Sequence, residues 1–140
     1  MATFTSQIFE ILTLNGDNVG SSVSQTITGI NYVDNRLLSV PTGSVTTIFN
    51  MDSLPGAGTF VASTVKYVRV TNTSTTTPVK LIVSSSTEAM SYLIATGSSY
   101  MMSTSKMTGS TRGLVFDDVR SVKVEPSGSV GSIEYYIATT

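Results

Sequence analysis

Residues 66–83, KYVRVTNTSTTTPVKLIV, place alternating β-branched residues on both sides of a polar tract, and that pattern admits little besides antiparallel β-structure. Val68 and Val70 alternate with Tyr67, Arg69 and Thr71, the two-residue period of a strand with one buried face. Asn72 to Thr77 interrupt the period, and Pro78, which has no N–H to give a ladder, stands where a second strand begins. Val79, Leu81 and Val83 then alternate with Lys80, Ile82 and Ser84. The stretch reads as a hairpin forming the central pair of an antiparallel sheet.

The rest of the chain repeats this grammar. Residues 6–14 read as a strand partly buried on both faces, closed by the turn Asn15-Gly16-Asp17-Asn18. An irregular edge strand over 19–30 leads through a bend at Gly29 to an Asp34-Asn35 turn and a further strand over 36–40. Residues 45–51 alternate again, and Leu54-Pro55-Gly56-Ala57-Gly58 is a loop. Residues 84–89 read as a loop. A short strand over 92–95 turns at Gly97-Ser98 and pairs back through 100–102, a polar loop spans 103–113, and Leu114 and Phe116 anchor the return. Residues 121–125 and 133–138 form a second hairpin, with Val122 and Val124 facing Ile133, Tyr135 and Ile137 while Lys123, Glu134 and Tyr136 point away. No helical period competes. Roughly eight to ten strands at this spacing suggest an all-β, single-domain antiparallel fold over residues 1–140, a β-sandwich, jelly roll or barrel, with residues 1–20 a candidate attachment or exchanged strand.

Composition narrows the function classes. Only 12% of residues are charged, against about 25% in an average domain, so Ser and Thr must cover much of the surface. A net charge of −1 gives copies little mutual repulsion and favours life in an assembly as a homo-oligomer. The eight Lys and Arg are scattered, which argues against nucleic acid. With no Cys and no His, disulfides, thiolate or His-metal sites and the usual nucleophile–His pairs are excluded. The N-terminus lacks the charge and apolar core of a signal peptide, and no stretch reaches the roughly 20 apolar residues of a membrane span, so synthesis in a cytoplasm without a leader is expected.

The remaining chemistry is sparse. Asp117-Asp118 has the makings of a Ca²⁺ ligand pair or an acid–base pair, but two Asp before a strand read better as a turn cap. Asn15, Asp17 and Asn18 resemble part of a calcium loop without its central Gly and closing Glu. Nine dispersed carboxylates select no glycosidase pair. Asn72-Thr73-Ser74 is a glycosylation sequon that a leaderless chain does not expose to the modifying machinery. No catalytic residue, cofactor or metal is expected. Candidate protein contacts are Tyr67 and Arg69 on the central strand, Tyr100, Met101 and Met102, whose thioethers suit an irregular surface or a core corner, and Tyr136.

KYVRVTN, the Thr-rich turn, VKLIVSSS, SYLIATGSSYMMS and SVKVEPSGSVGSIEYYIATT together resemble small virion structural proteins of tailed bacteriophages, over residues 65–140. The resemblance implies a jelly-roll-like block that binds the capsid or tail as a decoration, cement or minor capsid protein. Its implied partner is the major capsid protein or another virion protein. The reading from a different class is a tail-associated receptor- or carbohydrate-binding module, with Tyr67, Tyr92, Tyr100 or Tyr136 stacking on sugar.

Overall fold

The computed structural model of this chain describes residues 2–103, 108–109 and 117–140. From the N-terminus come β1 (Ala2–Phe9), β2 (Thr13–Leu14), β3 (Asp17–Asn18) and β4 (Ser22–Ile30). β5 (Tyr32–Val40), β6 (Thr46–Asp52), β7 (Thr59–Val61), β8 (Val65–Asn72) and β9 (Val79–Ser84) follow. β10 (Ala89–Ile94), β11 (Ser99–Ser103), β12 (Thr108–Gly109), β13 (Asp117–Asp118), β14 (Ser121–Pro126) and β15 (Gly131–Thr139) complete the order. Two main sheets form, sheet I in the order β10-β9-β14-β6-β7 and sheet II in the order β11-β8-β15-β5. All their pairings are antiparallel except that of β7 with β6.

Val68 and Val70 belong to sheet II and Val79, Leu81 and Val83 to sheet I, so these residues share one core without sharing a ladder. The strands expected over 66–83 are present, but the central hairpin is an arch between sheets. The same correction applies to β10 and β11, joined at Gly97, and to β14 and β15. Asn72 supplies the physical reason. It is fully buried, its amide nitrogen donates to the Thr77 carbonyl at 2.9 Å and the Ile94 carbonyl at 3.0 Å, and its side-chain oxygen accepts from the Ser74 N–H. Its backbone N–H donates to Ser98 and its carbonyl accepts from Gly97. One residue therefore clamps two arches, and the third joins them where the Ser127 N–H donates to the Pro78 carbonyl.

Only β9 and β10 form a hairpin within a main sheet. Setting aside the short β7, the order β5-β15-β8-β11 faces β6-β14-β9-β10, and along these eight strands the chain crosses between sheets at each connection except that from β9 to β10. That is the connectivity of a jelly roll, one of the all-β architectures that the strand pattern admits. Val122 and Val124 lie in the core with Ile133, Tyr135 and Ile137, while Lys123, Glu134 and Tyr136 are only half-buried, as their parity requires. A bulge in β6, where Phe49 pairs with Val122 and Thr47 with Lys123, lets adjacent Ile48 and Phe49 both enter the core.

One local expectation is overturned: β5 runs straight through Asp34 and Asn35, which pair with Ile137 and Tyr136, so no turn exists there. Asp117-Asp118 pairs with Thr108–Gly109 as a short ladder shortly before β14. The loop expected over 103–113, beyond Ser103 and the 108–109 pair, and the anchors Leu114 and Phe116 lie outside the described residues.

Candidate functional site

β1 and β4 pair from Ala2↔Ile30 to Phe9↔Ser22, and β2 and β3 continue the ribbon to its tip. Asn15 (φ 52°) and Gly16 (φ 92°) occupy the left-handed region that a two-residue hairpin turn demands. The ribbon is amphipathic along its paired length. Phe4, Ser6 and Ile8 pair with Ile27, Gln25 and Val23 on one face, while Thr3, Thr5, Gln7 and Phe9 pair with Thr28, Thr26, Ser24 and Ser22 on the other. Ala2 is set apart by a bulge.

The base of this ribbon is fixed to the outer face of sheet II. Phe4 and Ile27 pack with Ile30, Tyr67, Ala138 and Tyr136 in a second, smaller apolar cluster. Phe4 stacks on Tyr136 at 5.6 Å between ring centroids, Tyr67 meets Tyr136 edge-on at 6.0 Å, and Ser103 hydrogen-bonds Gln25 farther along. Beyond that anchor the ribbon carries exposed apolar residues. Phe9, Ile11, Leu12, Leu14 and Val19 are all exposed, Ile11 to 85%. This corrects the expectation that residues 6–14 are partly buried on both faces: apart from the half-buried Ser6, they are exposed. A ribbon that leaves the body has only one face to rest on it, and its tip has none.

The residues singled out as contacts separate by parity. Tyr67, Arg69, Met101 and Tyr136 point outward from sheet II, whereas Tyr100 and Met102 point inward and pack against the main core. Tyr100 lies 4.8 Å from the Tyr92 ring, and burial together with that neighbour pushes its hydroxyl up to about 12. Tyr67, only 5% exposed, is covered by the ribbon, with its hydroxyl on the Met101 sulfur at 3.6 Å. It is therefore a floor for the ribbon rather than a free surface. Arg69 pairs with Glu134 at 2.6 Å and lies 5.9 Å from the Tyr136 ring centroid. Met101 remains 42% exposed beside them.

Among the described residues no three of His, Cys, Asp and Glu come together, and no helix is long and apolar enough to cross a membrane. The sequon asparagine is Asn72, whose side-chain amide is spent inside the fold. Sequence reasoning flagged residues 1–20 but missed Phe4 as the anchor. The signal was there in Phe4, Ser6 and Ile8 alternating with Thr5 and Gln7. Compared with known protein families, characterised proteins and solved structures, the chain finds no match.

Proposed function

We propose that this chain is a non-enzymatic structural protein of an assembled particle, a decoration or minor capsid component of a virion, that docks on a neighbouring subunit through its N-terminal ribbon. The observation that carries this reading is the ribbon tip, where Phe9, Ile11, Leu12, Leu14 and Val19 are all exposed. Contiguous apolar surface at the end of a projecting element is costly for a free monomer and useful in an interface. The ribbon also offers open strand edges, to which a partner strand adds by backbone hydrogen bonding. A jelly roll suits such a role because two sheets packed face to face give a rigid block, although the same fold carries other functions. The low charge of the chain lets copies approach closely.

Light scattering of the full chain, followed by co-sedimentation with empty tailed-phage capsids, tests this. The expected result is an oligomer or a capsid-bound fraction that Ile11→Ser, Leu12→Ser and Leu14→Ser together abolish while the sandwich stays folded. A chain that is strictly monomeric and sediments free of capsids overturns the proposal.

A further inference from the structure

A second feature lies at the open edge of the sandwich, away from the ribbon tip. The inner face of β5 is apolar at Leu38 and Val40 but changes to Arg36, Asp34 and Tyr32 towards its start. On sheet I the facing edge is the three-residue β7, preceded by a loop containing Gly56 and Gly58. Between them is a cleft of about 450 Å³, within the range of small-ligand sites.

We propose that this cleft binds a neutral sugar ring, with Tyr32 as the stacking platform and the Asp34–Arg36 pair as the hydroxyl-recognition group. Asp34 is held in place by two donors: the Tyr135 hydroxyl reaches one oxygen at 2.9 Å and Arg36 Nε reaches the other at 3.0 Å. Each carboxylate oxygen keeps a second lone pair, and the Arg36 side chain, 61% exposed, carries further N–H groups. An acceptor and a donor fixed side by side match vicinal hydroxyls, each of which donates one hydrogen bond and accepts another. The pair sums to zero charge, so neither an anion nor a cation is favoured over a neutral ligand. Tyr32 is half-exposed, and Phe60 stands 6.3 Å from it between ring centroids, giving an aromatic wall for the C–H face of a pyranose. At Gly58 (φ 67°), on the cleft wall, a Cβ would meet nothing within 4 Å. Asp34 is the only carboxylate among the described residues that line the cleft, so the site offers binding and lacks the pair that glycoside cleavage requires. These residues are distinct from the tyrosines that the sequence pointed to.

NMR titration of the full chain with glucose, galactose, mannose, N-acetylglucosamine and their β-linked disaccharides tests the proposal. The expected result is saturable shifts at the amides of Tyr32, Asp34, Arg36 and Phe60 for at least one of these sugars. Tyr32→Ala and Arg36→Met should each weaken that binding about tenfold. Tyr32 and Arg36 are exposed, so both variants are expected to fold, and an unchanged thermal midpoint verifies it. Absence of saturable shifts with every sugar overturns the proposal. So does binding that Tyr32→Ala leaves intact, or tighter binding of glucuronate than of glucose.

Discussion

The ring of Phe4 lies 4.8 Å from the ring of Tyr67, which ties the first strand of the chain to the outer face of sheet II. This contact, with those of Ile27 and Ile30 in the same small cluster, holds the base of the ribbon on the body, whereas Phe9, Ile11, Leu12, Leu14 and Val19 beyond it are exposed. Phe4→Ala removes the half-buried ring that fills the small cluster and should cost about 1–2 kcal/mol, less than a fully buried phenylalanine. The loss is expected to be local. Amide exchange over β1 and β4 should accelerate and protease cleavage within residues 2–30 should rise, while exchange in β8 and β15 stays slow. Equal acceleration in the sandwich strands would show that the ribbon and the sandwich unfold as one unit.

Gly20 lies between β3 and β4, opposite Glu10. A Cβ there would collide with the carbonyl oxygen of Glu10, whose own N–H donates to the Ser21 carbonyl at 2.7 Å. The obstacle is backbone, so it cannot swing aside as a flexible side chain would. Gly20→Ala should therefore distort the ribbon beyond Phe9 and release its tip, yet change the unfolding free energy of the sandwich by less than about 0.5 kcal/mol. Chemical shifts that move across residues 8–22 and stay put in β14 and β15 are the expected signature. If the proposed docking depends on a presented tip, the same variant loses its oligomer or capsid binding.

Asn72 is the buried polar residue on which the arches depend. Replacing it with Ala leaves the Thr77 and Ile94 carbonyls and the Ser74 N–H without their partner, and the expected cost is about 2–4 kcal/mol. Asn72→Asp is nearly isosteric but places an acceptor against two carbonyls. It should cost at least as much at neutral pH and recover in part as acid protonates the new carboxyl. Urea unfolding of both variants, followed at two pH values, checks this. An Ala variant as stable as the parent would mean that the arches are held by their backbone alone.

How much of this was legible in the sequence follows from which properties are local. Side-chain parity is local, so the opposed faces of Tyr135 and Tyr136, and the inward Val122 and Val124, could be read from alternation. Sheet membership is not. The tract 73–78 has the composition of a hairpin turn, and only the three-dimensional reach of Asn72 to Ile94 carries the chain into the opposite sheet. The ribbon was half legible. Asn15-Gly16 announces its turn, but Ile8, Ile11 and Leu12 have a composition that reads as buried, and the sequence alone does not say that no layer covers them. The cleft was hidden for a related reason. Asp34-Asn35 looks like a turn, and Asp34 stays in a strand because β15 pairs along its whole length and Tyr135 supplies a hydroxyl for its carboxylate.

That carboxylate also sets an alkaline limit on the fold. Burial first, and the hydrogen bond and negative charge of Asp34 second, push the Tyr135 hydroxyl from the ordinary 10.0 up to about 12. A tyrosine is neutral when protonated, so the folded state holds this proton more tightly than the unfolded chain does. The resulting stabilisation is fully present below pH 10, where both states are protonated, and is lost as pH rises from 10 through 12. Tyr100, also raised to about 12, adds to the same loss over the same window. Asp34→Asn removes the charge and leaves burial in place, so the late tyrosinate step at Tyr135 should move part of the way back towards 10, while Tyr100 keeps its position. Absorbance of tyrosinate, titrated on the parent and on Asp34→Asn, separates the two residues. If the late step is unmoved by Asp34→Asn, the negative charge of Asp34 contributes nothing to the proton affinity of Tyr135, and burial governs it.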